Sequence, residues 1–203
     1  MMKKRSVDVL RVSVFLLAMA FSRPLYADSP ALEYLKTSLA SLQQVLTDPK
    51  LAGDQHSFQR RKLVRAVLQQ LFDFQEMSQR SLGANARKYK DRLGEFTPLF
   101  VDFLEHSYMG TLEKNGDAKI QYVREILDGE NVQINTRVRL KDGNEYNVDY
   151  KFYSCPAGWR VYDLIVEGIS LVNNYRSQFE RVLNKKSFDA LLQDLREKRE
   201  TFN

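Results

Sequence analysis

Leu32, Leu35, Leu39, Leu42 and Leu46 recur at three- and four-residue steps, which puts them on one side of a helix over Ala31–Leu46, and Thr47-Asp48-Pro49 stops it. Ser57 is placed to cap a second helix, with Val64, Val67, Leu68, Leu71 and Phe72 on one face. Asp73–Leu82 reads as a short helix ended by Gly83. Phe96, Leu99, Phe100, Phe103, Leu104 and Tyr108 then repeat at helical spacing, with Thr97-Pro98 offering a start for a new segment inside the run. Near Gly116 the period changes to two. Val132, Ile134, Thr136, Val138 and Leu140 alternate with Gln133, Asn135, Arg137 and Arg139, so one face is buried and one polar. Asp142-Gly143 is a hairpin signal, and Tyr146, Val148, Tyr150 and Phe152 alternate on the return strand.

Pro156-Ala157-Gly158 turns the chain into its most distinctive stretch, where Trp159, Val161, Tyr162, Leu164, Ile165 and Val166 leave almost no polar face. Such a strand is covered on both sides, and Gly168 supplies the next turn. Four antiparallel strands are expected, near 118–127, 131–141, 144–154 and 159–166, followed by helices near 171–183 and from Ser187 to Arg199. One texture change and no repeat make this a single α+β domain.

The first 27 residues change how the charge is read. Lys3, Lys4 and Arg5 precede an apolar stretch from Val12 to Phe21 and a small residue at Ala27, the plan of a secretory signal peptide. The apolar stretch is about half of the roughly 20 residues a spanning helix needs. Cleavage after Ala27 leaves residues 28–203 as the mature domain, with the bacterial periplasm as the expected destination. The whole chain of 203 residues has a formal charge of +5. Residues 1–27 hold five Lys or Arg against one Asp, so the remainder carries 26 basic against 25 acidic residues. That balance argues against a nucleic-acid binder. Cys155 is the only cysteine, which excludes an internal disulfide and a lipid anchor on a mature N-terminal cysteine.

Catalytic motifs are absent: no Gly-x-Ser-x-Gly, no phosphate-binding glycine loop, no Cys-x-x-Cys, no His-Glu-x-x-His. His56 and His106, the two histidines, lie on different helices, and no metal or cofactor is expected. Asp163 and Glu167 are carboxylates in an apolar strand end, where a raised pKa could serve acid–base chemistry. The commoner role of such groups is to fix a strand-to-helix junction by accepting backbone N–H groups or an arginine, for which Arg160 and Arg176 are at hand. A basic run, Arg60, Arg61, Lys62 and Arg65, reads first as a solvated helix face and second as a surface that steers docking.

Trp159-Arg160-Val161-Tyr162-Asp163, Val166-Glu167-Gly168-Ile169-Ser170-Leu171-Val172 and Asn174-Tyr175-Arg176-x-Gln178-Phe179 together resemble the MlaC, or toluene-tolerance, family of Gram-negative periplasmic phospholipid-binding proteins. Phe72-Asp73-Phe74, Met77-Ser78, Leu82-Gly83, Glu95-Phe96 and Val148-x-Tyr150 support the likeness, which runs from about Ala31 to Leu195. Ala86 departs from it, standing where many relatives have an aromatic residue. The resemblance implies a lipid shuttle between an inner-membrane MCE-domain ABC transporter complex and an outer-membrane lipoprotein–porin complex, maintaining outer-membrane asymmetry; such a shuttle works most simply as a monomer. It implies no covalent chemistry. The expected fold is an NTF2-like or cystatin-like cone of about four strands packed against helices around an apolar lipid pocket.

By position in the family and by apolar face, the expected lining is Phe72, Phe74, Met77, Phe96, Phe100, Phe103, Val138, Val148, Tyr150, Tyr162, Val166, Ile169, Leu171 and Val172. Two other readings stay open on the sequence. One is a small periplasmic enzyme using Asp163 or a pocket tyrosine on an apolar substrate. The other is an adaptor that binds only protein partners and buries its aromatics fully.

Overall fold

A computed structural model describes residues 28–200, with side chains described through residue 197; the expected signal peptide lies outside the described residues. Helix α1 (Pro30–Thr47) starts where Ser29 accepts the Leu32 amide at 3.1 Å and Pro30 supplies the first turn. Two short 3₁₀ turns, Pro49–Leu51 and Asp54–His56, lead into α2 (Ser57–Leu71). Ser57 is therefore not the cap. It is already helical, because the 3₁₀ turn before it hands the chain over at His56.

Asp73 caps α3 (Phe74–Leu82) through the Glu76 amide at 2.8 Å, and Gly83 ends it at a φ of 57°. After α4 (Asn85–Lys88) and a 3₁₀ turn over Lys90–Arg92, α5 runs unbroken from Leu93 to Lys114. Pro98 begins no new segment. It lies early in α5, where one missing N–H does not stop a helix anchored by buried Phe96, Phe100, Phe103 and Leu104.

The strands are β1 (Lys119–Asp128), β2 (Asn131–Arg139), β3 (Glu145–Cys155), β4 (Gly158–Val166) and β5 (Ile169–Ser170), antiparallel in sequence order. The fifth strand is an addition to the expected four. Val166-Glu167-Gly168-Ile169 is a two-residue hairpin whose central φ values, 49° and 78°, are those of a type I′ turn, so Gly168 both turns the chain and creates β5. Helices α6 (Leu171–Leu183) and α7 (Phe188–Glu200) close a single α+β domain.

Two bulges decide which side chains share a face. The β1 bulge between Tyr122 and Arg124 pushes Val123 out to 54% exposure and brings Glu125 opposite Ile134, where it accepts from the Ser29 hydroxyl. The other, in β4 opposite Lys151 and Phe152, leaves Tyr162 without a partner residue in register. Val161 and Leu164 keep to the face of Phe152 and Tyr150. Tyr162 turns to the opposite face, against the Tyr153 ring at 6.1 Å and under the Arg80 guanidinium at 4.1 Å. Strand β4 is thus covered on both sides, by α1 and α2 on one and by α3 and α6 on the other.

Apolar side chains gather into two cores. Leu35, Leu39 and Leu42 of α1 and Val64 and Leu71 of α2 pack on Val132, Ile134, Tyr150, Phe152 and Val161 of the sheet. Leu82 of α3, Phe96, Phe100 and Phe103 of α5, Tyr175 and Phe179 of α6, and Phe188, Leu191, Leu192 and Leu195 of α7 form the second, with no strand residue among its buried members. Helix α5 joins them, since Met109 and Leu112 further along it pack into the sheet core.

Candidate functional site

Cross-strand register builds the inner face of the sheet row by row. Val132, Phe152 and Val161 form a row that is 4%, 0% and 0% exposed beneath α1. Ile134, Tyr150 and Leu164 come next, then Thr136, Val148 and Val166, then Val138 and Tyr146 with Ile120 of β1. Cover runs out along this series. Tyr146 and Val166 are each 39% exposed, and Ile169, paired with Val166, is 65% exposed. Thr136 is buried with its hydroxyl donating to the Val148 carbonyl at 2.7 Å, so its row presents an effectively apolar surface.

The helices bordering this open end bring aromatic residues with hydroxyls. Leu104, Tyr108 and Leu112 lie on one stripe of α5 at four-residue steps; Leu104 packs in the helical core and Leu112 against the sheet core, so Tyr108 stands at the seam between them. Tyr108 is 41% exposed, and its hydroxyl is 3.4 Å from that of Tyr175, one turn into α6. Burial holds the Tyr175 phenol above its usual range, with the Tyr108 contact adding to the effect. The seam combines an incompletely covered apolar sheet end, the start of α6 at its rim and the stretch of α5 that links the two cores, an arrangement suited to long apolar groups.

Asp163 fixes that rim. Its side chain is buried and accepts from the Ser170 hydroxyl at 2.6 Å and the Val172 amide at 3.1 Å, while Ser170 caps α6 through the Asn173 amide at 3.0 Å. The junction is held by a hydroxyl and a backbone amide; Arg176 instead donates to the Arg80 carbonyl and Arg160 to the Trp159 carbonyl. Glu167 lies in the hairpin turn and accepts from the Asn147 amide. Both carboxylates thus have structural partners. His56 precedes α2 as its cap residue and His106 bonds the Asp102 carbonyl at 2.7 Å, and among the described residues no group of three or more His, Cys, Asp or Glu is placed to hold a metal.

Two grooves lie away from the seam. One of about 510 Å³ runs between the end of α2, the Phe72–Phe74 link, the start of α5 and Arg160. The other, about 680 Å³, separates α2 from α5 and is bordered by Phe58, Arg61, Lys62, Arg65, Glu105 and His106. Arg60 and Arg61 pair with Glu113, and Arg65 with Asp102 and Glu105, so three of the four residues in the basic run are tied to α5. Burial pushes the Glu105 carboxyl up against the opposing pull of Arg65.

The residues expected to line a pocket are distributed over several surroundings. Val138, Val148, Val166 and Ile169 meet at the open sheet end, with Tyr150 one row inside. Phe96, Phe100 and Phe103 lie within the closed helical core, 0%, 1% and 8% exposed, and Leu171 packs against it. Phe72 and Phe74 stack with centroids 5.8 Å apart in the smaller groove, Met77 and Val172 are buried, and Tyr162 is on the opposite face of the sheet from Val148. Tyr108, Tyr146 and Tyr175 belong to the seam and were not among the expected lining residues. Their signal was present in the helical period and the strand alternation, but both patterns also describe ordinary core.

The model for the family described as MlaC protein matches residues 36–197. The chain belongs to the MlaC family. The intermembrane phospholipid transport system binding protein MlaC of Haemophilus influenzae (strain ATCC 51907 / DSM 11121 / KW20 / Rd) is 27% identical over 103 residues, 48% of each chain, so this MlaC-family chain spans about half the length of the curated relative it matches. A phospholipid-binding protein from Ralstonia solanacearum, solved in complex with a phospholipid, superposes with a TM-score of 0.75 at 24% identity, covering 86% of this chain and 99% of the other. That likeness shows the MlaC-family chain to share the neighbour's α+β fold. No helix among the described residues is long and apolar enough to cross a membrane.

Proposed function

We propose that this chain carries phospholipid through the periplasm, as the mobile component of an Mla-type system that maintains outer-membrane lipid asymmetry. The observation that carries the reading is the apolar sheet face that loses its cover toward Val166 and Ile169, in a chain of the MlaC family. Each acyl CH₂ left in water costs about 0.8 kcal/mol, so two chains cross an aqueous gap only inside a shield. In this reading the seam takes the tails and leaves the head group outside, and discrimination between head groups is weak. Val138, Val148, Val166 and Ile169 make first contact with the chains. Phe100 and Phe103 meet them only if α5 and α6 part from one another, because the core between those helices is closed.

The carrier works as a monomer, loading from or unloading to an inner-membrane MCE-domain ABC transporter complex and an outer-membrane lipoprotein–porin complex, and performs no covalent chemistry. The test is mass spectrometry of an organic extract from the chain exported to a bacterial periplasm and purified without detergent. Near-stoichiometric phospholipid is expected. A clean extract from folded protein would overturn the proposal.

A further inference from the structure

Tyr175 carries a polar atom into surroundings where nearly everything else is apolar. Its side chain is 6% exposed, held edge-on to Phe100 and Phe103 at 5.2 and 5.5 Å and stacked on Phe179 at 5.7 Å. Among the described residues its hydroxyl has one hydrogen-bonding neighbour, the Tyr108 hydroxyl at 3.4 Å. A well-made bond between hydroxyls spans roughly 2.5–3.0 Å, and a buried tyrosine hydroxyl normally has such a partner. The pair is therefore under-bonded, and Tyr108, 41% exposed, keeps it at the edge of the aromatic core.

A diacyl phospholipid has three chemical zones. The tails make no hydrogen bonds and the charged head can remain in water, whereas the ester carbonyls lie at the boundary and lose water when the tails are buried. They need donors there. The hydroxyl pair occupies the corresponding boundary of the protein, between aromatic core and solvent.

We infer that Tyr108 and Tyr175 donate to an ester carbonyl of the bound lipid, making this chain selective for acyl-linked over alkyl-linked glycerophospholipids. The inference rests on the phospholipid-carrier reading and adds to it a preference for linkage, independent of head group. The two hydroxyls bond only to one another among the described residues, so replacing either tyrosine by phenylalanine keeps the ring packing and removes the donor together with that one long contact between α5 and α6.

The test offers the chain an equal mixture of dipalmitoyl phosphatidylcholine and its dialkyl ether counterpart, identical in head group and chain length, from mixed vesicles, and weighs the extracted lipids by mass spectrometry. The wild type is expected to retain the ester lipid about fivefold over the ether, the worth of one net hydrogen bond. Tyr175→Phe, and separately Tyr108→Phe at its more exposed position, should bring the ratio close to one by lowering retention of the ester lipid. A wild-type ratio of one, or a ratio unmoved in both variants, overturns the inference. Failure of the wild type to take up either lipid would instead sink the carrier reading.

Discussion

The sheet core and the helical core are built from similar amounts of apolar side chain and differ in how they end. In the helical core Phe96, Phe100, Tyr175 and Phe179 interlock edge to face at centroid distances of 5.2 to 5.5 Å, and each is nearly inaccessible. Helices can shift until such rings meet, because each satisfies its backbone within itself. A sheet cannot adjust in that way, since its strands are locked to one another by their ladder, and the inner face extends as far as the register does whether or not a helix lies over it. Rows near α1 are covered, and rows near Tyr146 and Val166 are half bare. In the proposed carrier the binding surface lies where a rigid apolar face outruns its cover.

Four experiments can break or sharpen this contrast. Phe100→Ala should have the largest effect, removing a buried ring from the closed core at a cost of about 3–5 kcal/mol in denaturant unfolding. A loss below about 1 kcal/mol would mean that the helical core is not tightly packed, and the distinction between the cores would fail. Asp163→Ala should cost about 2 kcal/mol, because the Ser170 hydroxyl and Val172 amide lose their acceptor at the rim of α6. Thermal unfolding that matches wild type would show that the rim is held by other contacts.

Ile169→Ser should leave stability within about 0.5 kcal/mol, the usual range for an exposed position, while lowering copurified phospholipid severalfold. Normal lipid in that variant, and in Val148→Arg one row further in, would move the binding surface away from the open sheet end. The smallest expected effect is at Glu105. Its carboxyl is raised by burial, so it takes up its proton more readily folded than unfolded. Its contribution to stability is present below the ordinary glutamate range and is lost as pH rises through the raised value. Glu105→Gln should flatten that portion of the stability–pH curve; a curve identical to wild type would show that Arg65 cancels the burial.

Strong local patterns made much of this fold legible. The leucine stripe of α1, the Asp142-Gly143 hairpin and the apolar run of β4 each correspond to an observed element. The structural role of Asp163 was also readable, because a carboxylate beside a strand-to-helix turn has few other partners. The bulge that sends Tyr162 to the far face was not readable, since one extra residue shifts the alternation without leaving a distinctive residue type. Phe96, Phe100 and Phe103 shared an apolar stripe with the expected pocket, yet their neighbours are other helices.

Sequence by itself determined the long helices, the four main strands, the inner face of β2 and β3 and the turn at Gly168, because these follow from periodicity and local backbone preference. Tertiary structure alone decided that α5 serves two cores, that Tyr108 and Tyr175 face one another, and that cover ends at Val166 and Ile169. Periodicity specifies which side of a helix or strand is apolar. What that side meets depends on distant segments brought together by packing, and an apolar residue has the same pattern in a row whether its neighbour is a phenylalanine, a lipid chain or water.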